Sequence, residues 1–131
     1  MELGKIETAQ LEFSFEHFNK IVQVGLPTTY YWAEVKQIEV PHEILHRYRG
    51  FDFKDVFARA VWYDNYSAKF YSRQTPSLVF GEMSMPTIKA TLSRMSQEYK
   101  EYFEYLMSPN FEDVDCDVFF QLAVVGELRF N

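Results

Sequence analysis

The segment His42-Glu43-Ile44-Leu45-His46 combines the residue types of a metal site at the spacing of one helical turn. Side chains four residues apart lie on one face of an α-helix, so both imidazoles could reach a single zinc ion. The glutamate between them could act as a general base toward a zinc-bound water. As an alternative function, this pattern predicts a zinc-dependent hydrolase in which His42 and His46 are metal ligands and Glu43 is catalytic.

Over these five residues the pattern resembles the zincin metalloprotease signature H-E-x-x-H. The metzincin subgroup of that family carries a third ligand six positions after the second histidine. Asp52 lies at that position, six residues after His46, so the resemblance implies Asp52 as a third metal ligand.

The residues around the motif differ from that family in three ways. Pro41 places the first histidine in the first helical turn, Arg47 adds positive charge, and Gly50 follows the second histidine by four residues instead of three. The alternative interpretation is an amphipathic turn that buries Ile44 and Leu45 and leaves both histidines at the surface.

Acidic residues are concentrated between positions 98 and 117. This range has a formal charge of -6, the net charge of the whole chain, because Lys100 is its only basic residue. Such a field can steer and orient a basic partner, although charge runs often serve only solubility. The predicted partner-binding surface comprises the acidic residues with two neighbouring tyrosines: Glu98, Glu101, Tyr102, Glu104, Tyr105, Glu112, Asp113, Asp115 and Asp117.

If the segment from Asp113 to Asp117 is extended, its three aspartates point to one side. They could then hold a divalent cation weakly, but a solvated acidic lead into the last strand is the favoured interpretation. Cys116 would point inward. Neighbouring carboxylates raise a thiol pKa, so this cysteine is not expected to be a catalytic nucleophile.

Length and composition predict one domain over residues 1–131. The chain is 47% hydrophobic and 18% aromatic, which excludes disordered and collagenous classes. Its acidic balance argues against direct nucleic-acid binding, which needs clustered Lys and Arg. With one cysteine, no signal-peptide pattern and no apolar run of about 18 residues, we expect a cytoplasmic protein that does not associate with membranes.

Hydrophobic spacing and turn residues place the secondary-structure elements. The first half predicts a helix over 15–24 capped by Ser14, with a strand from Leu11 as the alternative. It also predicts a strand over 30–40, a helix over 42–49, and a further helix that Asp52 caps. Two strands, 67–72 and 77–83, are expected to form a hairpin. The second half predicts one long helix at about 86–107 and a buried strand over 118–125.

Together these elements predict an α+β domain. A small mixed or antiparallel sheet should pack against the long helix and two to three shorter helices. The leading functional hypothesis is a non-enzymatic binding or inhibitory protein. Its acidic surface would bind a basic surface of another protein, such as a nucleic-acid enzyme. The composition is similar to that of small phage-encoded inhibitors and bacterial immunity proteins, without a shared motif. No cofactor is expected, except zinc under the alternative, and pairing with a second copy is left open.

Overall fold

The computed structural model describes residues 5–8 and 11–130, with side chains from residue 13 onward. These residues form the predicted α+β fold. The helices are α1 (Phe15–Thr28), α2 (His42–Arg47), α3 (Phe53–Tyr63), α4 (Met85–Glu98), α5 (Lys100–Met107) and α6 (Asp113–Val124). The strands are β1 (Lys5–Thr8), β2 (Leu11–Ser14), β3 (Ala33–Glu34), β4 (Ala68–Ser72) and β5 (Val79–Met83).

The described strands form two antiparallel sheets. β1 pairs with β2, and the second sheet has the order β3-β4-β5. In that sheet Ala68 lies opposite Met83 and Phe70 lies opposite Gly81, with a β-bulge next to Phe70. The predicted hairpin is therefore confirmed as β4 and β5, and the sheet is antiparallel.

Helix α1 begins where the sequence predicts and extends four residues further. The Ser14 side chain accepts a hydrogen bond from the His17 amide at 3.1 Å, so the predicted N-cap is confirmed. The helix continues through Gly25 because α6 crosses at this point. A Cβ on Gly25 would lie 2.7 Å from both the Cys116 Cβ and the Phe120 ring. The strand alternative is also realised, since β2 directly precedes the helix.

The predicted strand over 30–40 is wrong. This segment contains 3₁₀ turns at Thr29–Tyr31 and Gln37–Glu39, and only the short strand β3 pairs with β4. Of the three rings from Tyr30 to Trp32, only that of Trp32 is buried. Trp32 is 3% exposed and stacks against Phe130, with ring centroids 4.9 Å apart.

The helix predicted over 86–107 is interrupted at one residue. Tyr99, with φ −134° and ψ 49°, separates α4 from α5. Apolar spacing did not reveal the break because both helices bury the same stripe against one core. The buried residues of this stripe are Ile88, Leu92, Met95, Phe103 and Leu106.

The predicted strand over 118–125 is also wrong, because residues 118–124 belong to helix α6 and Val125 is its C-cap. The helix is covered by α1, α4, α5 and β5, so almost every side of it is apolar. The sequence therefore lacks the alternation of apolar and polar residues that indicates a helix with one buried face. Its end touches the sheet so closely that a Cβ on Gly81 would overlap the carbonyl oxygen of Val124. Within residues 5–8 and 11–130, no helix is both long and apolar enough to span a bilayer.

Candidate functional site

The histidine motif occupies the short helix α2. Ile44 is its one buried residue and packs with Val40 and Val56, whereas His42, Glu43 and His46 are exposed. Leu45, the other apolar residue of the motif, is also exposed. The helix is therefore a surface turn held by the buried Ile44 and by an ion pair between Arg47 and Asp64.

Other groups already contact two of the three predicted zinc ligands. The His46 Nδ1 lies 2.6 Å from an Arg49 guanidinium nitrogen, and the Asp52 carboxylate accepts a hydrogen bond from the Asp55 amide as the N-cap of α3. The described part of the chain contains no group of three or more His, Cys, Asp or Glu side chains that could hold a metal ion. The geometry thus supplies no complete ligand set for the zinc hypothesis.

The acidic segment folds differently from its extended interpretation. Residues from Asp113 onward form the first turns of α6, so the three aspartates do not share one side. Asp113 is exposed, Asp115 is 4% exposed and Asp117 is half-buried. The predicted one-sided arrangement is wrong because helical geometry turns successive side chains by about 100°.

Helix α5 and the start of α6 enclose a cleft of about 370 Å³. We call it the acidic cleft and define it by its lining residues, Glu101, Tyr102, Tyr105, Glu112, Val114 and Asp115. Five of the nine residues of the predicted partner-binding surface are thus brought together. Sequence reasoning missed Val114, which is 53% exposed. The signal that could have revealed it is an apolar residue between two aspartates.

The other four predicted residues do not line the acidic cleft. Glu98 and Glu104 are exposed, and Glu98 lies 3.5 Å from Arg94 one helical turn away. Asp113 is exposed at the start of α6. These three carboxylates therefore contribute to the surrounding field without lining the cleft.

Asp117 is engaged within the protein. One carboxylate oxygen accepts from the Trp32 indole at 3.2 Å, and the other accepts from the Tyr31 hydroxyl at 3.1 Å and the Gln121 amide at 2.9 Å. Burial, followed by the negative charge and hydrogen bond of Asp117, raises the pKa of Tyr31. This network joins α6 to the segment before β3, so Asp117 has a structural role.

Asp115 forms part of the floor of the acidic cleft and also caps α6. Its Oδ2 accepts a hydrogen bond from the Glu112 amide at 2.8 Å, which satisfies a free donor at the helix start. Cys116 is fully buried beside it. Burial, then the charges of Asp115, Asp113 and Asp117, raises the pKa of this thiol to about 12. The predicted inward position and raised pKa of the cysteine are confirmed.

A contact from α1 holds α5 in place beside the cleft. The His17 Nε2 lies 2.6 Å from the carbonyl oxygen of Leu106, in the last turn of α5. His17 is also packed edge-on against Phe111, in the loop that leads to α6. Helix α1 thereby positions both walls of the acidic cleft.

The fold and the site define a small α+β domain with a cleft lined by carboxylates and tyrosines. Comparisons of the chain with protein-family models, with curated proteins and with solved structures find no match.

Proposed function

We propose that this protein is a non-enzymatic binding or inhibitory domain that uses the acidic cleft to bind a basic surface of another protein. A nucleic-acid enzyme is a suitable partner, because its phosphate-binding surface is rich in Lys and Arg. The observation that carries the proposal is the acidic cleft itself: three carboxylate side chains and two tyrosines line it, and no basic side chain does.

The charge and the apolar surface of the cleft serve different parts of binding. The uncompensated carboxylates attract a basic partner over several ångströms and orient its approach. Tyr105 and Val114 are more than half exposed, at 54% and 53%, and offer apolar area that a partner can cover. Tyrosine is enriched at the centre of protein interfaces for this reason.

The test is capture of partner proteins from a lysate by two variants of equal net charge. Glu101→Lys with Glu112→Lys reverses charge inside the acidic cleft, and Glu98→Lys with Glu104→Lys makes the same change outside it. We expect the cleft variant to lose the captured partner and the outer variant to retain most of it, because only the first removes contacts inside the cleft.

Two further measurements make the comparison specific. Thermal unfolding should show both variants folded, since the four glutamates are exposed, with some loss of stability in the cleft variant because Glu112 belongs to the capping box that starts α6. Capture by the wild-type protein should weaken as salt rises, because salt screens exposed charges. Equal capture by both variants at low salt, or capture that depends only on total charge, would exclude the acidic cleft as the interface.

A further inference from the structure

We propose that the acidic cleft receives a single arginine side chain from an extended segment of the partner protein. This inference rests on the proposed function and narrows it to one residue type. Three features of the cleft support it: its volume, its two kinds of wall, and a carboxylate oxygen of Asp115 that accepts no hydrogen bond from the described residues.

The volume of the acidic cleft limits the occupant. At about 370 Å³ it lies near the lower end of ligand pockets, which span roughly 300–1,000 Å³. An α-helix with its side chains is about 10–12 Å across and would need a longer groove. One long side chain and the backbone on either side of it fit this volume better.

The walls of the acidic cleft favour guanidinium over ammonium. A guanidinium is planar and weakly hydrated, stacks on aromatic rings, and donates paired hydrogen bonds to carboxylates. Tyr102 and Tyr105 provide rings, and Glu101 and Glu112 provide carboxylates. The lysine ammonium is a compact, strongly hydrated charge that gains less from the rings.

The floor of the cleft contains an acceptor that the described residues do not use. Asp115 is 4% exposed, and its Oδ2 is occupied by the helix cap. Its Oδ1 accepts no hydrogen bond from any side chain or amide in the described part of the chain. Because this oxygen is not one of the buried polar atoms left without a partner, it reaches solvent and is open to a donor that enters the cleft. An arginine N–H entering the acidic cleft would donate to this oxygen while Oδ2 stays engaged in the helix cap.

The test is an NMR titration of the full-length protein with three capped pentapeptides, Gly-Ser-X-Ser-Gly. X is arginine, lysine or citrulline, which has the shape of arginine without its charge. We expect the arginine peptide to bind about tenfold more tightly than the citrulline peptide and about threefold more tightly than the lysine peptide. The resonances of Glu101, Tyr105 and Val114 should shift.

Tyr105→Leu serves as the matched variant, because this side chain is 54% exposed and its replacement leaves the core intact. The preference for arginine over lysine should fall to about one in this variant, since the ring contributes most to that preference. If binding were purely electrostatic, Tyr105→Leu would show the same small preference for the arginine peptide as the wild-type protein.

The outcomes separate this inference from the proposed function. Equal binding of the arginine and lysine peptides, with both lost in Glu101→Lys/Glu112→Lys, overturns the arginine inference and leaves the proposed function standing. Binding of the citrulline peptide as tight as that of arginine, or no binding of the arginine peptide at 10-fold the protein concentration and above, also overturns it. Failure of the lysate comparison described above overturns the proposed function instead.

Discussion

Asp117 provides a quantitative test of the network that holds α6 in place. Replacing it with alanine removes the acceptor for the Trp32 indole, the Tyr31 hydroxyl and the Gln121 amide at once. Asp113→Ala is a suitable control, because this residue lies four positions earlier on the same helix and is exposed.

The expected cost follows from the burial of each donor. Trp32 is 3% exposed, so an indole N–H without an acceptor costs about 1–3 kcal/mol. Gln121 keeps its bond to the Phe130 carbonyl and loses about 1 kcal/mol. The half-exposed Tyr31 hydroxyl can turn to water and adds little. Asp117→Ala should therefore lose about 2–4 kcal/mol, and Asp113→Ala about 0.3–1 kcal/mol from the helix dipole.

The assay is urea unfolding followed by tryptophan fluorescence, with both variants compared with the wild-type protein. We expect a lower midpoint for Asp117→Ala at an unchanged slope. Asp117→Asn should fall between the two alanine variants because it keeps one acceptor oxygen. If Asp117→Ala and Asp113→Ala agree within about 0.5 kcal/mol, the reasoning that makes Asp117 structural is refuted.

Two further predictions concern packing and pH. Gly81→Ala should lower the free energy of unfolding by about 3 kcal/mol or more, because the new Cβ would overlap the Val124 carbonyl. Gly126→Ala should lower it by only about 1 kcal/mol, because its sole cost is a positive φ. Equal unfolding free energies for the two variants would contradict the close contact at Gly81. The Cys116 pKa rises from an ordinary 9.0 to about 12 on folding, so the stability that this thiol contributes below pH 9 should fall by about 1.4 kcal/mol by pH 10. Cys116→Ala should lack this part of the loss. If urea unfolding at pH 7–10 gives the wild-type protein and Cys116→Ala the same dependence of unfolding free energy on pH, the raised pKa of Cys116 is refuted.

Features that depend on a few neighbouring residues could be predicted from the sequence. The caps at Ser14 and Asp52 and the hairpin of β4 and β5 are examples, because turn chemistry and capping act over three or four residues. The α+β class followed from the sum of such signals.

Features set by tertiary packing could not be predicted in this way. The run 118–125 has the apolar pattern of a buried strand, although 118–124 form a helix that is covered by other helices and β5. The aromatic residues from Tyr30 to Trp32 suggested a strand, whereas only Trp32 is buried and only the two residues after it pair with the sheet. In both cases side-chain burial is consistent with more than one backbone conformation.

The acidic cleft could be predicted from the sequence only in part. The concentration of charge over 98–117 is visible in the sequence, and this range contains all six lining residues. The choice among its carboxylates depends on the loop that turns the chain from α5 back to α6. That turn brings Glu101 and Glu112 to one cleft and directs Asp117 into the network with Trp32.

The most direct test of the acidic cleft as a binding surface is a map of NMR shifts in the ¹⁵N-labelled protein during titration with a hexa-arginine peptide. We predict that the largest shifts occur at Glu101, Tyr102, Tyr105, Glu112 and Val114, and that they disappear in Glu101→Lys/Glu112→Lys. Shifts centred on Glu98 and Glu104, or shifts spread evenly over all exposed carboxylates, would contradict the account.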